Sequence, residues 1–258
     1  MAYLAKIFIY PIKSLDPVSL KTATFLTSGA IAGDREWALF DQKKKFINGK
    51  NNPQVHLIRS SWNLDLNTVS LRTPESDRLV TFQIQQETSA LESWFGEYFQ
   101  CRVKLKQNTD TGYPDDTKVL GPTIISTATI ETVASWFPQI TVEEMRSRLR
   151  ANLEIGGVPA FWEDRLFNRK DEAVNFAIGD VLLSGINPCQ RCIVPTRDSK
   201  TGIGDPQFIK TFTTKRQRTL PPWTNRDRFN HFYRLSINTK VPASEAGKFI
   251  HLGDEVRV

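Results

Sequence analysis

The stretch VNFAIGDVLLSGINPCQRC, residues 174–192, contains two short apolar strands that meet at Gly179-Asp180 and run on into Asn187-Pro188 and a C-x-x-C pair. Segments of five or six apolar residues bounded by Gly, Asn and Pro suit strands, and they are too short for a packed helix. The same grammar extends outward from it. Strands are expected at LEIG (153–156), CIVPT (192–196), HFYRLSI (231–237) and GKFIHLGDEVRV (247–258), the last with a Leu-Gly-Asp turn that suits closure of a barrel. Upstream, AKIFIYPI (5–12) reads as a first strand, 36–48 and 62–72 as hairpins, and LVTFQI (79–84) and RVKLK (102–106) as further strands. Helices are expected where Leu91, Trp94, Phe95 and Tyr98, then Ile130, Val133, Ala134 and Phe137, recur at helical spacing. Ser89 with Glu92, and Thr141 with Glu144, have the spacing of capping boxes. Alternation of strand and helix of the βαβ kind is absent. The expected fold is therefore β-rich α+β, a barrel domain with a smaller β-rich domain before it and a few helices. The polar segment after residue 106 sets the expected division at 1–106 and 107–258.

Composition excludes several classes. The chain has 258 residues, 40% hydrophobic, 24% charged and 10% aromatic, which is ordinary for a globular protein and not for a collagen, a disordered chain or a disulfide scaffold. No apolar run approaches the roughly 18 residues of a membrane span, and MAYLAKIFIYPIKS reads as a strand and not as a signal peptide. No membrane partner is expected. Three cysteines without an export signal point to a reducing compartment, so a cytoplasmic location is expected. The net charge of +6 is too small for a nucleic-acid footprint. One basic run stands out from Lys210 to Arg234, with Lys215, Arg216, Arg218, Arg226 and Arg228 inside it. It is expected to be a solvated or ion-paired surface, an anionic-cofactor site, or a docking surface for an acidic protein.

Cys189-Gln190-Arg191-Cys192 admits several chemistries. Structural zinc needs four ligands, and Cys101, His56, His231 and His251 offer no paired spacing. A thioredoxin-like pair wants a helix after the first cysteine, where IVPT stands instead. Two buried cysteines packed as small hydrophobes remain open. So does a single thiolate on a metal held mostly by something else, with Arg191 favouring the ionised sulfur.

Taken together, seven further segments resemble the MOSC family, in its amidoxime-reducing branch. They are Tyr10-Pro11-Ile12-Lys13-Ser14, Gly33-Asp34-Arg35 with Trp37 and Asp41, Tyr113-Pro114-Asp115, Arg150-Ala151-Asn152-Leu153, Trp162-Glu163-Asp164, Ile178-Gly179-Asp180 ahead of the C-x-x-C pair, and Leu252-Gly253-Asp254-Glu255-Val256. The resemblance covers nearly the whole chain, in order. It departs from the family at Gln190, where a small Ser or Thr is common.

The resemblance implies a molybdenum cofactor, a pterin dithiolene with a terminal phosphate. It implies Cys192 as the protein's ligand to molybdenum, with Cys189 beside it. A soft thiolate suits such a metal. Lys13, Ser14 and Arg35 fall at positions used near the phosphate, and Arg150, Asn152, Gln190 and Arg191 at positions near the pterin. Ser126 or Thr127 is expected to present a hydroxyl and backbone N–H groups to the cofactor, unless it merely caps its helix. Asp115 and Asp164 are candidate proton donors. The implied activity is reduction of N-hydroxylated compounds to N–H plus water. Cluster cysteines are lacking, so electrons are expected from a separate ferredoxin, flavodoxin or cytochrome b5-like protein. The alternative is a carrier of molybdenum cofactor or sulfur without turnover of its own.

Overall fold

The first strand shows how apolar pattern becomes architecture. In the computed structural model, which describes residues 1–258 apart from the side chain of Asp77, Tyr3–Ile9 forms β1 and buries Leu4, Ile7 and Ile9. Strict alternation would bury Leu4 and Lys6 together. The register against its neighbour slips between Leu4 and Lys6, which rotates the buried face onto Ile7 and leaves the lysine outside.

Along the chain follow β2 (Val18–Leu20), β3 (Thr22–Thr24), β4 (Trp37–Asp41), β5 (Phe46–Ile47), β6 (Arg59–Asn63), β7 (Thr68–Thr73) and β8 (Ser76–Gln83). Helix α1 (Thr88–Phe99) and β9 (Val103–Gln107) complete the first part. Then come β10 (Thr123–Ser126), α2 (Thr127–Ala134), α3 (Val142–Leu149), β11 (Leu153–Gly156), β12 (Val174–Ile178) and β13 (Val181–Gln190). The chain ends with α4 (Phe208–Arg218), β14 (Arg234–Lys240), β15 (Phe249–His251) and β16 (Val256–Arg257).

The largest sheet has eight strands in the order β16-β12-β13-β14-β10-β11-β1-β2, antiparallel except for β10 beside β11. Its far end returns to its first strand. Tyr3 bridges Glu255, the Leu4 N–H donates to the Asp254 carbonyl at 2.9 Å, and the Val256 N–H donates to the Ala2 carbonyl at 2.9 Å. The interior of this curled sheet holds Leu4, Ile7, Ile124, Leu153, Ile178 and Ile237. A second core, with Leu39, Leu71, Leu91 and Phe95, lies among β4, β7, α1 and their neighbours. The fold is β-rich with four helices, as expected.

The sheets do not follow the division at residue 106. β1 and β2 belong to the eight-stranded sheet, and β3 pairs with β15, so the first 24 residues are built into the second half. Three local expectations also change. Ser89 sits inside α1, and Glu92 turns away to accept from the Leu105 N–H at 2.9 Å and to hold Lys104 at 2.6 Å. Thr141 does cap α3 through the Glu144 N–H at 3.1 Å, but the Glu144 carboxylate goes to Ser199 and Arg148. CIVPT is no strand. β13 runs through Pro188 at a register break, and a 3-10 turn at Val194–Thr196 follows, begun by Pro195, which has no N–H for a ladder. No helix among the described residues is long and apolar enough to cross a membrane.

The basic run is split by α4, an element absent from the sequence reading. Phe208, Phe212 and Arg216 at four-residue spacing form its buried face. Arg216 is fully buried, with Nη2 donating to both oxygens of Asp164 at 2.7 and 2.6 Å and its guanidinium 4.3 Å from the Phe161 ring. Asp164 also accepts from the Thr224 hydroxyl at 2.8 Å. It is a structural anion, and the expectation that it donates a proton in a site is corrected. Likewise Arg216 is not part of a docking surface. Removing one partner of a buried pair strands the other charge, so Arg216→Ala should lower unfolding free energy by about 3–5 kcal/mol. The exposed Lys215→Ala should cost less than about 0.5 kcal/mol, with urea denaturation as the measurement for both.

Candidate functional site

Stretches distant in sequence meet around one cavity of about 470 Å³: the turn after β1, the loop before β4, the turn after β5, the segment between β9 and β10, the α3–β11 junction, the end of β13 and the facing part of β14. Its floor is organised by Asn152, which is 2% exposed. The Asn152 side-chain amide donates to the Phe8 carbonyl at 3.1 Å. Its oxygen accepts from the Thr123 N–H and hydroxyl, both at 3.2 Å, and from Arg35 Nη1 at 3.3 Å. One side chain thus ties β1, β10 and the Arg35 loop together.

Arg35 is further held by Asp34, whose other oxygen accepts the Tyr10 N–H at 2.9 Å. The Tyr10 ring lies under both Arg35 and Arg150, at 5.0 and 4.0 Å from the two guanidiniums. Arg150 in turn donates to the Leu15 carbonyl at 2.7 Å. Ser14, Arg35 and Arg150 all have positive φ, at 75°, 52° and 53°. Left-handed backbone is costly for residues with a Cβ and concentrates where surrounding structure imposes it. Here it turns two guanidiniums and a hydroxyl toward one space.

Lys13 is 6% exposed and donates to the Tyr113 carbonyl at 2.8 Å and to Asp115 at 2.6 Å. Lys50 reaches the other Asp115 oxygen at 3.1 Å. Burial alone would raise the Asp115 carboxyl, but the two ammonium groups outweigh it and hold it well below the usual carboxylate range. A carboxyl ionised at every pH near neutrality has no proton to give. The expectation of Asp115 as a catalytic acid is therefore corrected: its role is to fix two lysines.

The C-x-x-C segment forms the remaining wall, with Cys189, Gln190, Arg191 and Cys192 all lining the cavity and both cysteines free thiols. Arg191 Nη1 lies 3.7 Å from Cys189 Sγ, its backbone N–H donates to the Tyr233 carbonyl at 3.0 Å, and its Nε is buried without a partner. Among the described residues no three His, Cys, Asp or Glu side chains gather as a metal cage.

Ten of the thirteen residues singled out from sequence thus line the same cavity: Lys13, Ser14, Arg35, Asp115, Arg150, Asn152, Cys189, Gln190, Arg191 and Cys192. Ser126 and Thr127 do not. The Ser126 hydroxyl caps α2 by accepting the Thr129 N–H at 3.2 Å, and Thr127 donates to Glu154 at 2.9 Å. Beneath them Thr129 donates to the buried Glu163 at 3.0 Å, whose carboxyl is pushed up to about 7 by burial and then by neighbouring Asp164. That polar group is interior packing, so the cofactor role expected of Ser126 and Thr127 is corrected: Ser126 caps α2 and Thr127 bonds Glu154. Sequence reading passed over Asn187 and Asn238, which face each other across β13 and β14 on the cavity wall. The available signal was polar amides inside otherwise apolar strands. His56, weighed from sequence only as a zinc ligand, also lines the cavity, with Nε2 3.1 Å from the Gly49 carbonyl. Burial lowers its pKa, the carbonyl opposes this, and Arg150, Arg197 and Arg59 lower it further, so the ring is neutral.

The Lys13–Asp115 geometry makes a spectroscopic prediction. In the wild type the Asp115 carboxyl carbon should remain in its ionised form across the whole NMR titration down to pH 3. In Lys13→Met it should titrate nearer the ordinary range. Because the folded carboxyl is depressed, its contribution to stability is present above about pH 4 and fades as pH falls. Lys13→Met should flatten that acid limb.

Comparison with known proteins agrees with this arrangement. A family model described as the MOSC N-terminal beta barrel domain matches residues 1–143, and one described as the MOSC domain matches residues 122–257. The human protein named mitochondrial amidoxime reducing component 2 is 25% identical over 243 residues, spanning 78% of this chain and 68% of the relative. Its bovine counterpart is 26% identical with the same coverage. Human mitochondrial amidoxime-reducing component 1 is 24% identical over 236 residues, 77% of this chain and 67% of the relative. With each of the two family models matching more than half its length, the chain belongs to the MOSC family.

Proposed function

We propose that the cavity binds a molybdenum cofactor and that the protein reduces N-hydroxylated compounds, with electrons supplied by a separate redox protein. The observation that carries this reading is the convergence of Lys13, Arg35, Asn152 and Cys192 on one space from four separate segments. The names of the relatives support the same class of substrate.

The residues present fit such a group. An anionic, phosphate-bearing ligand needs fixed cationic donors, and Arg35 and Lys13 are already oriented by Asp34, Asn152 and Asp115 before any ligand arrives. The buried, unpartnered Nε of Arg191 is a donor in search of an acceptor. Two thiols with few other donors suit a metal that comes with its own chelate. Lys13, Ser14 and Arg35 would hold the phosphate, Arg150, Asn152, Gln190 and Arg191 the pterin, and Cys192 the metal. When bound, the cofactor supplies two-electron oxygen-atom chemistry: R–NHOH plus two electrons and two protons gives R–NH2 and water. The protein's own part is orientation and charge. Asn152 keeps Arg35 in register with β1, Tyr10 underlies the guanidiniums of Arg35 and Arg150, and Asp115 keeps Lys13 from swinging away. A ferredoxin, flavodoxin or cytochrome b5-like protein is the proposed class of donor.

Protein purified from a host that makes the cofactor should contain about one molybdenum per chain and should consume an amidoxime with a reduced dye. Cys192→Ala should lose activity and the thiolate-to-metal absorption, and Cys189→Ala should be milder. Silence of both variants in metal content and absorption overturns the ligand assignment. Cofactor without turnover favours the carrier alternative. Arg35→Ala should retain about ten- to a hundred-fold less tightly, the effect of one charge-assisted hydrogen bond. Its thermal unfolding should change less than its cofactor occupancy.

A further inference from the structure

Most cations on the cavity wall have carboxylate partners. Lys13 and Lys50 share Asp115, Arg35 has Asp34, and Arg148 has Glu144 and Asp198. Arg150, Arg191 and Arg234 have none among the described residues and are braced by backbone carbonyls of Leu15, Leu149 and Pro188. The first two stand where the cofactor is proposed to lie. Arg234 is not among the residues proposed to hold the cofactor.

Arg234 opposes Gln190 in the β13–β14 ladder, so it lies beside the C-x-x-C end of the cavity. Its guanidinium is positioned before any ligand binds. Nη1 donates to the Pro188 carbonyl at 3.0 Å, while Nε and Nη2 donate to Asn230 Oδ1 at 3.3 and 2.9 Å. Of five N–H donors three are engaged, which leaves one on each terminal nitrogen. Two free N–H groups on adjacent nitrogens form the fork that a carboxylate fits. Among the described residues the cavity lining contains no Phe, Tyr or Trp, so the His56 ring is the one aromatic surface a flat base would find there. Its wall there is made of amides, cations and short aliphatic groups.

We propose that Arg234 anchors a carboxylate on the substrate, so that the preferred substrates are small aliphatic N-hydroxylated compounds bearing a carboxylate. The N–OH group then faces the C-x-x-C sulfurs while the anion faces the Arg234 fork. This rests on the reductase reading above and adds the substrate class. A ligand anchored in this way gains through KM more than through kcat, because the anion contact is present before and during reaction alike.

The test uses cofactor-loaded protein, a reduced viologen dye, and two matched probes: propionamidoxime and 3-(N-hydroxycarbamimidoyl)propanoate, the same skeleton with a terminal carboxylate. The wild type should favour the carboxylate probe in kcat/KM by ten-fold or more. Arg234→Ala should bring that ratio close to one, chiefly through KM, and Arg234→Lys should restore part of it. A wild-type ratio near one, or a ratio unchanged in Arg234→Ala, overturns the proposal. Turnover of neither probe overturns the reductase reading instead. Calorimetric binding of the product 3-carbamimidoylpropanoate to the same proteins then decides the anchor on its own. Binding at least ten-fold weaker in Arg234→Ala upholds it, and equal binding in both proteins overturns it.

Discussion

The side chain of Asn152 is the constraint on which the cavity depends. It is buried, and a buried amide must spend its donors and acceptor inside the protein. It does so on the Phe8 carbonyl, the Thr123 backbone and hydroxyl, and Arg35. The backbone of the same residue accepts from the Phe8 N–H at 2.7 Å and donates to the Thr123 carbonyl at 3.1 Å. Three strands and a loop are therefore locked at one point, and the arginine that faces the cavity is part of the lock. A looser residue here would leave the strands paired but the arginine free.

From that point the electrostatics spread outward in a defined order. Asp34 holds Arg35 and the Tyr10 backbone, and Tyr10 underlies Arg150. On the other side Asp115 holds two lysines, one on each oxygen, and offsets one of their two charges. The result is a cavity with oriented cations, two free thiols and unused N–H groups. Orienting long basic side chains costs conformational entropy, and here that cost falls on folding and not on ligand binding. A second set of charges, Arg216 with Asp164 and Thr224, lies in the interior and serves packing alone. Charge by itself does not mark a site. What differs is that the interior acid and base meet each other, whereas three of the cavity's arginines meet no carboxylate among the described residues.

Much of this was legible in the sequence because strands and their turns leave short-range signatures. The hairpins at 36–48 and 62–72, the strand pair at 174–190 and the apolar spacing in α1 and α2 are local patterns, and the structure has them. Ten candidate residues lying on one cavity were named through motifs quoted in order along the chain. The misreadings share a cause. Ser126, Asp164 and Arg216 carry the right chemistry for a site, yet burial against Thr129, Thr224 and Phe161 is a long-range fact that no local pattern encodes. The same holds for Ser89 and Glu92, whose capping spacing is overridden because Lys104 and the Leu105 N–H of β9 take up the carboxylate from α1.

By itself the sequence determined the class of elements, the order of the strands along the chain, and which residue types were available for anion and metal binding. These follow from side-chain period, turn chemistry and donor inventory, all of which act over a few residues. Only the tertiary structure decided that β1 and β2 join the sheet of the second half, that α4 buries its arginine, and which of two candidate aspartates is bound to lysine and which to arginine. Each depends on contacts between residues tens to more than a hundred positions apart, such as Lys13 with Asp115 and Arg35 with Asn152. Such contacts depend on the pairing of β1 with β11 and of β11 with β10, which sets segments far apart in the chain side by side.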